Sequence, residues 1–264
     1  GKKGLVAWLV GIIFISFPTV VSNLAFNFTC QYYSIAILLA VLAVYLNEKF
    51  SKIGWIGTIL CLILSLGIYQ AFYPLAVMLF LELAIKKILD EEYEIKRTIR
   101  EGIKSILLLI ISVFGYIVIA KTYLHFTGEG LSDYKGVNEM GQIGLDEIPV
   151  ILYRIYLNIG LIFKNNYFGV NETSVLKHII ALLFVLSAMM IIAILIKRKS
   201  LMCGIFALVG CALLPLAFGF IEIMCQQGIY TLMVYSTIGI FLMPVVLFDL
   251  FEGTCFFEKE KLKR

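Results

Sequence analysis

The polar residues that could do chemistry in this sequence are few, and most of them stand in apolar surroundings. Arg154 and Asn158 are four residues apart, so they share one face of any helix that runs through them. Glu222 and Gln226 have the same spacing, with Gln227 beside them. Asp146-Glu147-Ile148-Pro149 reads as the start of the helix that carries Arg154, with acids ahead of the first turn and proline near its first position. Asp133, Lys121 and Lys164 lie in the same region, and Tyr69-Gln70 falls in the middle of a long apolar run. A carboxylate in such a setting can move a proton, and the planar fork of an arginine can hold a phosphate through two hydrogen bonds. His125 and His178 are far apart, and no cysteine stands at metal-ligand spacing from either, so neither a metal nor another cofactor is expected. The absence of a Walker loop, a dinucleotide glycine fingerprint and a Gly-x-Ser-x-Gly motif disfavours an ATPase, a Rossmann enzyme or an esterase. Cys61, Cys203 and Cys211 lie in apolar segments, while Cys30 and Cys225 could share one side of a membrane, which leaves a disulfide between them open.

The elements that position these groups must be membrane helices. Of 264 residues 61% are hydrophobic and 15% charged, against roughly 45–50% and 25% in a usual globular chain. The mean hydropathy is +0.97. This composition excludes an ordinary soluble domain, a disordered chain and a nucleic-acid-binding protein, which would need a dense basic face. A bilayer core takes roughly 20 apolar residues in helical form. Segments on that scale are Leu5 to Val21, Phe26 to Leu46, Ile53 to Ile85, Ile103 to Ala120, His178 to Ile196, Leu201 to Phe220 and Ile229 to Leu250. The third would be about 50 Å long as one helix. Gly67-Ile68-Tyr69-Gln70-Ala71-Phe72-Tyr73-Pro74 breaks it, because proline lacks a donor and turns the preceding residue away from helix. It therefore reads as a hairpin of two short helices.

Charge placement supports that choice. With the hairpin there are eight transmembrane helices and both visible termini are cytoplasmic. Only Lys121, Lys135, Arg154, Lys164 and Lys177 of the 22 basic residues then face outward. One large external region, 121–177, results. Within it Gly128 to Gly144 reads as a loop, either for a substrate or a surface loop with no role, and Pro149 to Phe163 as an amphipathic helix lying in the outer interface. The fold class expected is all-α, a single polytopic transmembrane domain over 1–264. Its Gly1-Lys2-Lys3-Gly4 start suggests a fragment of a longer chain.

Two stretches carry a family likeness: Phe17-Pro18 followed by Tyr32-Tyr33-Ser34-Ile35-Ala36 and the apolar residues through Leu46, and Leu64-Ser65-Leu66-Gly67-Ile68-Tyr69-Gln70-Ala71-Phe72. They resemble the bacterial Gtr type II glucosyl transferases, polytopic enzymes of the GT-C type that decorate surface polysaccharides such as O-antigen. The likeness is closest over about the first 90 residues and is mainly one of topology beyond them. It implies a protein of the cytoplasmic (inner) membrane that takes a sugar from an undecaprenyl-phosphate donor. The hexose, glucose in this family, passes with inversion to a cell-surface glycan acceptor among the membrane lipids. Tyr69 and Gln70 are carried over as residues of the family motif.

Such a transfer needs a carboxylate to take the acceptor proton and a cation to stabilise the departing phosphate. Arg154 is the first choice for the phosphate, with Lys121 and Lys164 next. Asp146 and Glu222 are the leading acids, ahead of Asp133 and Glu147. GT-C enzymes usually place this acid in the first external loop, but Ser22 to Gln31 contains none, so the main acid could lie upstream of Gly1. The competing classes are a polysaccharide polymerase, a flippase or transporter of lipid-linked glycans, and a structural membrane subunit. No internal repeat supports transport.

Overall fold

The structure, a computed structural model, describes residues 2–50, 53–90, 94–128, 144, 146–162, 174–224 and 231–256. Every regular element among these residues is helical, as the composition requires. The longer helices are α1 (Lys2–Ser16), α2 (Pro18–Leu24), α3 (Cys30–Lys49), α4 (Gly54–Ile68), α5 (Tyr73–Leu89) and α6 (Ile95–Thr127). They continue with α7 (Ile148–Ile162), α8 (Ser174–Arg198), α9 (Leu201–Phe218), the single turn α10 (Ile221–Met224) and α11 (Gly239–Phe256). Short 3-10 turns occupy Gln70–Phe72, Thr231–Met233 and Tyr235–Ile238.

Among the described residues, α3, α6, α8 and α9 are long and apolar enough to cross a bilayer, and the bent pair of α1 and α2 would make a fifth span. Their outward faces carry exposed Leu38, Ile106, Phe114, Leu182 and Leu208, side chains suited to hydrocarbon. The pattern is that of a multi-pass membrane protein.

The break expected at Tyr69 is present. Tyr69 is extended at the end of α4, and proline occupies the second position of α5. The two helices form a hairpin, because α5 returns to the end of the bundle from which α4 departs. There the Lys87 ammonium pairs with Glu48, at the close of α3, at 2.6 Å. Helix α4 lies antiparallel to α3: Thr58 donates to the Ala43 carbonyl at 2.9 Å and Ser65 to that of Ala36 at 3.0 Å. Small residues permit this approach. Ala36, Ala40 and Ala43 are fully buried, and a side chain at Gly54 would run into the Leu46 carbonyl.

Three segments differ from their sequence reading. Leu5 to Val21 is bent by 50° where α1 gives way to α2, because Pro18 removes a donor and holds Phe17 extended. The described part of Ile229 to Leu250 is not one α-helix: 3-10 turns at Thr231–Met233 and Tyr235–Ile238 precede α11, and there Tyr235, Ser236 and Thr237 donate their hydroxyls to the carbonyls of Phe14, Phe218 and Val234. Helix α6 extends beyond Ile103 to Ala120 at both ends.

The bundle has two chemically distinct ends. One gathers Glu48, Lys87, Glu101 and Arg198, the last of which donates to the Ile88 carbonyl. The other gathers the α4–α5 break, α2, α10 and the start of α11. There Tyr73 lies beside Phe220, with ring centroids 6.1 Å apart, and Phe72 beside Tyr235 at 5.8 Å.

Candidate functional site: a buried carboxylate at one end of the bundle

Helix α7 is held against α9 by a stripe at helical spacing, Ile151, Ile155 and Ile159, all buried. Ile155 occupies the space that a side chain at Gly219 would need. The Tyr156 hydroxyl donates to the Ala212 carbonyl at 2.6 Å, in the turn before Pro215. That docking fixes the rotation of α7, and the rotation turns its Arg154–Asn158 face toward α10.

The target of that face is Glu222, 1% exposed. Its Oε1 accepts a hydrogen bond from the Asn158 amide nitrogen at 2.7 Å, while its Oε2 is buried with no hydrogen-bond partner. Burial raises the Glu222 pKa above the ordinary carboxylate value, and the Asn158 hydrogen bond and the Arg154 charge pull it partly back. One oxygen is held and the other has no partner, within reach of the Arg154 charge. Such a group can accept a proton from a hydroxyl that reaches it, with a positive charge at hand for a developing anion.

Next to this polar group lies an apolar groove of about 350 Å³, walled by α7, α8, α9 and α11. Ile159 and Gly160 form its end nearest Asn158, and Phe184, Ile191, Leu214 and Met243 line its length. Ser187 also borders it, but its hydroxyl is spent on the Leu183 carbonyl. A groove of this kind suits an apolar chain.

The structure thus brings together Arg154 and Glu222, which the sequence separates by two helices. Asp146 is not part of the cluster: it is exposed in the turn ahead of α7 and contacts neither. Glu147, also exposed, accepts from the Gly144 backbone at 3.3 Å. Lys121 is exposed on α6. Lys164, Asp133, Gln226 and Gln227 lie outside the described residues. Tyr69 and Gln70 sit at the same end of the bundle as Glu222. The Tyr69 ring packs 4.8 Å from that of Tyr33, and Gln70 donates to the Tyr116 hydroxyl at 2.7 Å, so both have structural partners. Cys30 is a free thiol, and Cys225 lies outside the described residues. Among the described residues no cluster of His, Cys, Asp and Glu could hold a metal ion.

Sequence reasoning missed Glu82. This acid is 2% exposed in the middle of α5, with Oε1 unpartnered, and it packs against Gly239. Its signal was present as the only acid within the apolar run Ile53 to Ile85. A methyl group at Gly239 would come within 2.7 Å of Glu82 Oε1 and 2.8 Å of Phe218, a residue of the groove wall.

These features define the class as a helical, multi-pass membrane protein. The chain belongs to the glucosyl transferase GtrII family, whose model matches residues 1–241. Nothing among curated proteins or solved structures matches it. Membership supports glucosyl transfer, and with it a sugar donor and an acceptor.

Proposed function

We propose that the protein moves glucose from a polyprenyl-phosphate donor to a cell-surface glycan, with the Glu222 end of the bundle facing outward. The observation that carries this reading is the Glu222 carboxylate, with one oxygen fixed by Asn158, the other unpartnered, and Arg154 beside it. The apolar groove supports a lipid-linked donor, since its end at Ile159 and Gly160 adjoins Asn158 on the same helix. The isoprenoid chain lies in the groove and its phosphate meets Arg154.

Glu222 Oε2 takes the proton of the acceptor hydroxyl as that oxygen attacks the anomeric carbon. The bond from that carbon to the phosphate oxygen breaks, the electron pair leaves with the phosphate, and Arg154 stabilises the charge. Attack opposite the leaving group inverts the anomeric centre. In this arrangement the chain crosses the inner membrane eight times, in a GT-C-like fold, with both visible termini in the cytoplasm. Helices α4, α5 and α11 supply the shorter crossings, and the basic Lys87 end faces inward.

Membranes carrying the protein, incubated with undecaprenyl-phosphate [14C]glucose and surface glycan, should transfer label to the glycan. Transfer by the wild type that survives unchanged in Glu222→Gln would overturn the assignment of the base. No transfer from any polyprenyl-phosphate hexose would overturn the donor.

A further inference from the structure

Helix α6 sorts its charges by side. Glu101 faces the bundle, where Lys87 and Arg97 hold its two oxygens, and Thr98, Ser105 and Ser112 are buried on that same side. Lys96, Arg100 and Lys104 stand four residues apart, so they form one stripe along the helix. Lys96 and Arg100 are exposed and Lys104 is half-buried. Among the described residues none of the three makes an ion pair or a hydrogen bond, because the acids at this end, Glu48 and Glu101, are spent on Lys87 and Arg97.

Leu107, Ile111 and Phe114 continue the stripe at helical spacing, and all three are exposed. At 1.5 Å per residue the cations cover about 12 Å of the helix axis, and the apolar residues begin within one turn of Lys104. One open face of α6 thus passes from positive charge to hydrocarbon, the order in which a leaflet presents headgroup and acyl chain. A soluble anion would engage only the first half of that face. A phospholipid of net negative charge satisfies both halves. Its phosphate meets the planar fork of Arg100 through two hydrogen bonds, Lys96 and Lys104 add charge, and an acyl chain lies along Leu107 to Phe114. A zwitterionic lipid brings its own ammonium group, which these cations repel.

We propose that Lys96, Arg100 and Lys104, with Leu107, Ile111 and Phe114, form a binding site for an anionic phospholipid in the leaflet at the Lys87 end of the bundle. The site is at the opposite end from Glu222 and does not depend on the glucosyl-transfer reading. Glu101 ties the inner side of α6 to Lys87 of α5, and the lipid holds the same turns from the outside.

The test is native mass spectrometry of the full chain in a neutral detergent, titrated with dioleoyl phosphatidylglycerol. Lys96→Gln, Arg100→Gln and Lys104→Gln should each weaken binding of the first lipid about fivefold, the worth of one basic residue beside an anionic leaflet. Together they should weaken it about a hundredfold, while Arg100→Lys should keep more binding than Arg100→Gln. Melting temperatures without added lipid should match the wild type, since these side chains have no partners among the described residues. Phosphatidylglycerol should then raise the melting temperature of the wild type and not of the triple variant. Lys199, exposed at the same end between α8 and α9, is the control, and Lys199→Gln should bind as the wild type does. Unchanged phosphatidylglycerol binding in the triple variant would overturn the site. An equal loss in Lys199→Gln would also overturn it, by showing a general attraction to positive charge. Displacement of the lipid by an equal concentration of soluble glycerol phosphate would overturn it in favour of a free phosphate. The measurement needs no turnover, so its failure would leave the transfer reading untouched.

Discussion

The two ends of the bundle handle charge in opposite ways. At one end Lys87 bonds Glu48 at 2.6 Å and Glu101 at 2.8 Å, and Arg97 bonds the other oxygen of Glu101 at 2.9 Å. Those acids are about a third exposed, and their partners tie the closing turns of α3 and α5 to the opening of α6. At the other end Glu222 is 1% exposed, with a single hydrogen bond and a vacant oxygen. The paired acids are near water and fully engaged, which is the arrangement of a latch. Glu222, deprived of water, is left incompletely paired, as a group held ready for a reaction would be.

Substitutions at the two ends should therefore separate activity from stability. Glu222→Gln should have the largest effect, a loss of about 10³-fold in transfer rate, within the span typical of general-base removal. Its amide oxygen can still accept from Asn158, so thermal unfolding in detergent should hold steady. Asp146→Asn, assayed beside it, should keep wild-type turnover; the reverse pattern would move the base to the turn ahead of α7.

Arg154→Ala comes next, with kcat/KM falling about 10²-fold through loss of the phosphate contact and circular dichroism unaltered. Full activity in that variant would remove Arg154 from the site.

Asn158→Ala should cost about tenfold in rate at neutral pH, less than the roughly 10²-fold or more that follows loss of an acid–base group itself, and should also move the pH profile. A base must be ionised to act, so activity rises as pH climbs through the Glu222 pKa, which burial already holds above the ordinary value. Asn158 lowers that pKa, so its removal shifts the acid limb further upward. A limb that stays in place would show that Asn158 only packs.

The smallest effect on activity belongs to the latch. Lys87→Met should leave turnover within about twofold while destabilising the fold by about 1–3 kcal/mol, between the values for exposed and buried pairs. Burial alone would raise the Glu101 pKa, but Lys87 and Arg97 together bring it below the usual carboxylate value. Its stabilising contribution is thus complete above the unfolded carboxylate pKa and is lost as pH falls through the lowered folded value. Thermal melts of wild type and Lys87→Met should converge in acid.

Much of the scaffold was legible in advance. Proline and its neighbours marked the break at Tyr69, whereas the bend at Phe17 went unread because Leu5 to Val21 reads as a single apolar run. The four-residue spacing of Arg154 and Asn158 correctly gave them a common helical face. Glu82 escaped notice because hydropathy averages over a window, and one polar residue in an apolar run scarcely changes the mean.

Composition and periodicity alone determined that the chain is helical, that it meets hydrocarbon, and that its chemically able polar residues form a short list. These properties depend on residue type and local spacing, which a linear sequence records directly. Only the tertiary structure could show which of those residues meet. It leaves Asp146 exposed in the turn ahead of α7 and sets Glu222 against Asn158 across 64 residues of chain, on the helix that borders the apolar groove. No spacing rule links positions that far apart. Their meeting depends on how α7 docks on α9, and that is decided by the packing of Ile155 into the space at Gly219.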